Sequence, residues 1–511
     1  MSGLDFTHWG ALAAIAVGVS FCTIDYANAQ ITPDGTLPNN SSVIKEGNTF
    51  NITGGTQAGS NLFHSFGEFS VNTGGTASFN NALDIQNIIT RVTGGSVSNI
   101  DIDGLIRTLG TANLFLINPN GIVFGENASL NVGGSFAATT ANALQFGNRG
   151  FFSATEQNIP SPLLTINPSA LLFNQINQNA PIQNNSVAPA GTDPAGFNAF
   201  GLRVPDGKSL LLVGGNVSMN GGRLNAFGGR VELGGLAESG SVALGVDGDN
   251  LSLKFLDNVA RTSVSLTNQA GIYVEGAGGG NIAVNARNLE ILGGSLLSAG
   301  IGQGLGTPET VAGDITLNAT ESIKVAGTGS NVRNLVRLGS LGNGGNITID
   351  SGDLSLQDGA LLTAETLGQG NAGTIKVNAA QINISGKSSN INSGLFLNSQ
   401  STTGTAGDII VTSPRVTLDN SGTLNAQFSS GNGGNISLQT DLLLLRRGAQ
   451  ISTTAGTAQV GGDGGNISIN TSGFLIAVKP VPEPTLPFSV FAIAAFHAAW
   501  MLRRKQKQTT F

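Results

Sequence analysis

The sequence predicts an all-β chain wound as a parallel β-helix, with a cap at its N-terminal end and a separate transmembrane helix at its C-terminal end. Three observations carry that prediction. One six-residue phrase recurs seven times, as GGNIAV from Gly279, AGDITL from Ala312, GGNITI from Gly344, AGTIKV from Ala372, AGDIIV from Ala406, GGNISL from Gly433 and GGNISI from Gly464, at spacings of 27 to 34 residues. Fixed-period repetition marks units that cover one another's apolar faces. Within each unit, apolar and polar residues alternate with period two, which puts one side-chain set inward and the other outward. Gly, Asn and Asp hold the junctions, where corners need left-handed backbone angles.

A second alternating phrase follows in each unit, as at residues 289–292, 354–356, 382–384 and 416–418, and then a third short stretch, as at 295–299 or 360–363. Each unit therefore predicts three strands and three corners, one turn of a β-helix. Propeller blades need roughly 40 residues, and a sandwich does not repeat one phrase seven times. With strands stacked about 4.8 Å apart, about 15 coils would make a rod roughly 70 Å long. Asn281, Asn346, Asn435 and Asn466 share one corner, either as a stacked amide ladder or simply because they tolerate the turn.

Composition narrows the function classes. Of 511 residues 74 are Gly and 11% are charged, yet 40% are hydrophobic, enough to bury a core. Collagen is excluded because Gly does not recur every third residue. The 24 Lys and Arg against 31 Asp and Glu disfavour a nucleic-acid binder. A single Cys leaves no disulfide to stabilise the body.

Both ends read as addresses. Residues 9–22 are apolar and nearly uncharged, and Ala27, Asn28 and Ala29 follow in the small-x-small pattern of a signal peptidase site, with cleavage expected after Ala29. At the other end Pro482, Glu483 and Pro484 precede an 18-residue apolar stretch, 485–502, and then Arg503, Arg504, Lys505 and Lys507. Such a stretch spans a bilayer, and the basic cluster keeps the tail cytoplasmic. This order of parts resembles the PEP-CTERM sorting signal of Gram-negative bacteria, which implies processing by an exosortase. The expected organisation is a signal peptide at 1–29, a first β-helical domain at 30–240, a repeat array at 241–475, and the sorting motif, span and basic tail at 476–511. Between the ends, His64 and Tyr273 are the sole His and Tyr.

Phenylalanine divides the body: fifteen lie between Phe50 and Phe227, but only Phe255, Phe396, Phe428 and Phe474 between residues 228 and 484. An open β-helix end presents unpaired backbone groups to other chains, so the aromatic-rich first segment is the expected cap. Inside it, INPNGIVF at 117–124 is echoed by INPSALLF at 166–173, each reading as strand, turn, strand.

Together with RVTGG at 91–95, IDG at 102–104, ANLFLINPNGIVFG at 112–125, LNVGGSF at 130–136 and GGRVELGGLA at 228–237, these phrases resemble the two-partner secretion domain of the filamentous haemagglutinin family. The resemblance implies a capped right-handed β-helix that the POTRA modules of a dedicated outer-membrane pore recognise. The family's signature turns match Asn118, Pro119, Asn120, Gly121 and Ile122 for the first, and Asn167, Pro168 and Leu171 for the second. The second departs from the pattern at Ser169 and Ala170. The turns either contact the pore or act by making the domain fold.

No catalytic constellation stands out. A Ser, His, Asp arrangement would depend on His64, which sits among Phe63, Phe66 and Phe69. No Cys lies between the two ends, and no zinc signature is present. Asp350, Asp353 and Asp358 are the closest acidic cluster, but Asp is also a turn residue. The expectation is a non-enzymatic chain with no cofactor or metal. It would be an adhesin-like or matrix rod, exported from a Gram-negative cell to its surface or medium, with transient inner-membrane anchoring by the tail. Its expected partners are the pore, an exosortase, and glycans or other cell surfaces. The alternative is a β-helical polysaccharide lyase or hydrolase.

Overall fold

The computed structural model describes residues 30–478, apart from 101–103, 175–179, 248–249, 258, 402–403, 429–432 and 456–463. Every regular element among the described residues is a strand. The expected signal peptide and the expected transmembrane helix lie outside the described residues. Among the described residues no helix is long and apolar enough to cross a membrane.

The repeat phrase builds a column of parallel strands. From Asn61–Phe69 it runs through Asn87–Val92, Asn113–Ile117, Phe136–Thr139, Ser209–Val213 and Arg230–Gly234. It continues through the opening halves of Asn281–Leu292, Ile315–Ala326, Ile347–Gln357 and Ile375–Ser385, then Ile409–Thr412, Ile436–Arg446 and Ile467–Val478. Register stacks Val231, Ile282, Ile315, Ile347, Ile375, Ile409, Ile436 and Ile467 in one file. All of these but Ile467, on the last strand, are buried in the core. This is a parallel β-helix, held by continuous ladders and by aliphatic side chains stacked on their own kind.

Each repeat turns fewer corners than expected. The first and second phrases share one long strand, such as Asn281–Leu292, that bends where the register slips between Ala286 and Asn288. A bulge of this kind turns the chain without a loop. Where proline occupies the bend the strand breaks in two: Ile409–Thr412 and Arg415–Asp419 flank Pro414, whose carbonyl accepts from the backbone N–H of Asp441 and Leu442. The third phrase forms its own column, from Leu202–Arg203 through Arg223–Asn225, Gly271–Tyr273, Leu296–Ile301, Asn331–Val336, Leu361–Thr366, Gly394–Ser399 and Thr423–Phe428 to Gln450–Thr454.

The first column has thirteen rungs among the described residues, or about 58 Å at about 4.8 Å per step, short of the expected coil number. The difference lies between residues 140 and 208, where Ile182–Asn184 and the short Leu202–Arg203 alone join the long columns, and neither joins the first. The rest of that chain goes largely into an antiparallel sheet of Phe151–Ser153, Ala143–Gln145, Ala170–Phe173, Gly240–Asp247 and Asn250–Lys254 in that spatial order. It covers the outer face of the early rungs. Phe63, Ile89, Phe115, Ala137 and Leu211 of the column meet Leu144, Phe146, Phe152, Leu171 and Val242 in a second core. The early rungs are therefore buried on both faces, and their alternation disappears. Two cores in one segment account for its phenylalanines.

The N-terminal end is closed by reversed strands. Ile31–Pro33 and Thr56–Ala58 both run antiparallel to Asn61–Phe69, and Ser41–Glu46 runs antiparallel to Thr49–Gly54. This is the expected cap, since a reversed edge cannot accept another parallel coil in register.

Candidate functional site

The first signature turn follows the rung Asn113–Ile117 and is tied into the molecule from inside. Asn118 is fully buried. Its Nδ2 donates to Ser96 O at 3.1 Å and to Ser98 Oγ at 2.9 Å, while its Oδ1 accepts from the Asn120 backbone N–H at 3.0 Å. Gly121 has φ +117°, and a Cβ there would come within 3.0 Å of Pro181 O, so both conformation and space call for glycine. Ile122 is core and donates its N–H to Pro181 O at 3.0 Å. Only Pro119 and Asn120 remain partly exposed.

These two residues meet the RVTGG phrase. Asn120 Nδ2 donates to Gly94 O at 2.7 Å. Thr93, Gly94, Gly95, Pro119, Asn120 and Thr155 line one shallow surface depression. Two motifs 25 residues apart in sequence thus form a single patch, because they close successive coils at the same corner.

Beneath the patch lies a buried charge lock. Arg91 is fully buried and lies in the otherwise uncharged strand Asn87–Val92. Its Nε donates to Ser65 Oγ at 2.7 Å, its Nη1 to Ser153 O at 2.7 Å and Asn158 O at 2.8 Å, and its Nη2 to Thr36 Oγ1 at 2.9 Å. Burial lowers its pKa to about 10 against the opposing pull of Asp34, so it stays charged at neutral pH. Asp34 accepts from Ser65 Oγ at 2.6 Å and Thr93 Oγ1 at 2.7 Å. Burial pushes the Asp34 carboxyl up, but the hydrogen bonds from Ser65, Thr93 and Thr36 outweigh it and hold the pKa below the usual carboxylate range. Cap, rung and antiparallel sheet are thereby joined at one point. The visible signal in sequence is a lone Arg in NIITRV.

The second signature turn is placed differently. No strand precedes it: Ile166 is exposed, and only Ala170–Phe173 is regular. The expected strand, turn, strand reading is corrected here, because this segment leaves the helix to reach the antiparallel sheet. Asn167 Oδ1 accepts from Asn87 Nδ2 at 3.0 Å, extending a buried ladder in which Asn87 Nδ2 also reaches Asn61 Oδ1 at 2.8 Å and Asn113 Nδ2 reaches Asn87 Oδ1 at 3.1 Å. Pro168 is buried, and Leu171 packs in the second core. Asn167 stands at the start of the rung Asn87–Val92 and the first turn's patch at its far end, about 16 Å away along the strand. The structure does not bring the two turns together.

Of the remaining candidates, His64 is buried, with Nδ1 3.0 Å from Ser41 Oγ and its ring stacked on Phe66. Burial lowers its pKa to about 3, so it is neutral. Asp350 and Asp353 lie along one strand, Ile347–Gln357, and Asp358 sits at a corner with φ +56°. Among the described residues no three His, Cys, Asp or Glu side chains are grouped to hold a metal. Ala27, Ala29, Pro482, Glu483, Pro484, Arg503 and Arg504 lie outside the described residues.

The corner asparagines form a ladder of a different kind from stacked amides. Asn281 Oδ1 accepts from Asp314 N at 3.0 Å, Asp314 Oδ1 from Asn346 N at 2.7 Å, Asn346 Oδ1 from Thr374 N at 3.0 Å, and Asp408 Oδ1 from Asn435 N at 3.0 Å. The bond runs from side-chain oxygen to the next coil's backbone, which is why Asp serves as well as Asn.

The profile of the TPS secretion domain matches residues 29–284. The crystal structure of the HMW1 secretion domain from Haemophilus influenzae is 18% identical, covers 86% of this chain and 100% of its own, and superposes with a TM-score of 0.52, a likeness of fold. That of the filamentous hemagglutinin secretion domain is 17% identical, covers 74% of this chain and 99% of its own, with a TM-score of 0.31. No curated protein matches the sequence. The match spans half of the chain and includes the cap, the charge lock, both signature turns and the antiparallel sheet, so the chain belongs to the TPS secretion domain family, whose members are substrates of two-partner secretion.

Proposed function

We propose that this chain is an exported β-helical rod, adhesin-like or matrix-structural in role, delivered through a two-partner secretion pore in the outer membrane. The observation that carries the reading is the family match over residues 29–284, within which RVTGG and the first signature turn share one exposed patch. In this reading the pore's POTRA modules receive Pro119 and Asn120, while Asn118, Gly121, Ile122, Pro168 and Leu171 act from inside by holding the domain's shape, and exposed Asn167 does so through its bond with Asn87. The signal peptide ending at Ala29 brings the chain to the periplasm. The tail from Pro482 to Arg504 holds it briefly at the inner membrane until an exosortase releases it. The rod then works at the cell surface or in the medium by reach and by many weak polar contacts with glycans or neighbouring surfaces.

The test compares surface, medium and periplasmic fractions with and without the partner pore, and with Pro119→Ser/Asn120→Ser in the exported chain. Loss of surface and medium protein on pore deletion supports the route; an unchanged distribution overturns it. A double variant that unfolds like the wild type but is retained supports contact at the patch. One exported normally confines the turn to a folding role.

A further inference from the structure

The third column carries a cleft that the export reading leaves unused. A hairpin of Pro189–Thr192 and Asn198–Phe200 stands over the column's outer face. The space beneath it, about 240 Å³, is lined by Phe197, Phe200, Arg223, Tyr273, Glu275 and Arg337 among others. Most phenylalanines of this segment are buried, yet Phe197 is 54% and Phe200 36% exposed, both on this hairpin. Tyr273, the sole tyrosine between the two terminal segments, rests its ring against Gly271. A Cβ there would meet the ring at 2.5 Å, so glycine makes the seat for it. Aromatic faces are thus held open where hydrophobic burial alone would have hidden them.

Charge in the cleft is arranged as deliberately. Glu275 is buried and shared: Arg337 binds it through Nε and, at 2.9 Å, through Nη2, Ser298 donates to it, and Arg333 Nη2 stands 3.5 Å away. Asp193, on the hairpin, adds a further favourable field at Arg337. Arg223 has no carboxylate partner among the described residues. It lies 5.8 Å from the Phe200 ring centre, and its Nε is buried without a hydrogen-bond partner. In a chain of net charge −7, this cleft holds a guanidinium left unneutralised beside an aromatic platform.

Concave shape, aromatic walls and a few convergent polar groups define a small-ligand site. We propose that this cleft binds an acidic sugar unit of a glycan, the ring's apolar face resting on Phe197 and Tyr273 and its carboxylate paired with Arg223. A planar guanidinium matches a carboxylate with two parallel hydrogen bonds, which a neutral sugar cannot offer. Beyond the cleft the outward file of the same column continues in register through Ser298, Arg333, Thr363, Phe396 and Asn425. Thr363, Phe396 and Asn425 line a second, smaller hollow there. A chain attached to the bound unit would find polar contacts and one further aromatic along the rod.

The inference rests on the exposed rod proposed above for its setting, but its test uses purified full chain and is independent of export. Oligogalacturonate is titrated calorimetrically, alongside the same oligosaccharide with its carboxyls reduced to alcohols. Saturable binding of the acidic form is expected, at least tenfold weaker for the reduced form and for Phe197→Ala and Arg223→Gln. Phe197 is exposed, so its variant keeps the fold whatever Arg223→Gln does. Absence of saturable binding, equal binding of both oligosaccharides, or wild-type binding by Phe197→Ala overturns the proposal. Shortening of the oligosaccharide during the titration overturns it too, in favour of cleavage. Failure here leaves the export route standing, and failure of the pore-deletion test leaves this binding measurable.

Discussion

The guanidinium of Arg91 lies 4.2 Å from the ring centre of Phe152, so a rung of the helix and the sheet that covers it meet through a cation and an aromatic face. That stacking sits on top of the donors Arg91 places on Ser65, Ser153, Asn158 and Thr36. Arg91→Met strands the buried acceptors of those bonds, leaves half-buried Asp34 without its neighbouring cation, and is expected to destabilise the chain by about 1–3 kcal/mol. Arg91→Lys keeps the charge but loses the fork, and recovers less than half of the loss. Urea unfolding midpoints decide it: a change under about 0.5 kcal/mol for Arg91→Met would contradict the lock.

His64 makes stability depend on pH. Its pKa is about 3 in the folded chain, where burial disfavours the charged ring, against about 6.5 unfolded. Between these values the unfolded state binds a proton that the folded state does not. The stabilisation is therefore whole above about pH 6.5 and is lost as the pH falls toward 3, by up to about 1.4 kcal/mol per unit. Unfolding free energies of wild type and His64→Gln, measured from pH 7 to pH 4, should converge as the pH falls. Parallel curves would mean the ring is solvated.

The glycine at the second position of each repeat phrase is expected to be irreplaceable. A Cβ on Gly313 would come 2.5 Å from Gly280 O, and on Gly345, Gly373, Gly407, Gly434 or Gly465 it would overlap the carbonyl of the equivalent glycine one coil earlier. Gly373→Ala forces backbone apart in the middle of the array and should cost about 1–3 kcal/mol or more. Its neighbour Ala372, half-buried, should accept Ser within about 0.5 kcal/mol. Thermal unfolding of the two variants side by side checks the contrast.

Asn118 and Pro119 should separate folding from recognition. Asn118→Ala removes the bond to Ser96 O, strands the buried Ser98 Oγ, and is expected to cost about 1–3 kcal/mol. Pro119→Ala, at the surface, should cost no more than about 1 kcal/mol, through the freer unfolded chain. Denaturation curves that rank the two in the opposite order would place the turn's structural weight at the surface.

The legible part of the fold was the part made of repetition. Ile282, Ile315, Ile347, Ile375, Ile409 and Ile436 could be aligned by their phrase alone, and they stack in register as aligned. The reason for the neighbouring glycines was misread, since most of those in the phrase have no positive φ. Their constraint is the carbonyl one coil away, and a single coil's sequence carries no information about the distance to the next. INPSALLF misled for a related cause: it opens on the same Ile, Asn and Pro as INPNGIVF, but its strand pairs with residues 143–145 and 240–243, a partnership that period and spacing do not encode.

By itself the sequence determined that the chain is all-β, that it winds in units of about thirty residues, and that its first segment needs a cap, because alternation and recurrence are local patterns that dictate which face of each strand must be buried. Only the tertiary structure decided that Arg91 is a buried lock, that Asn167 and Pro119 stand at opposite ends of a rung, and that Arg223, Tyr273 and Phe197 share one cleft. These are meetings of residues far apart in the chain, set by the stagger of coils and by the sheet and hairpin that leave the helix and fold back on it.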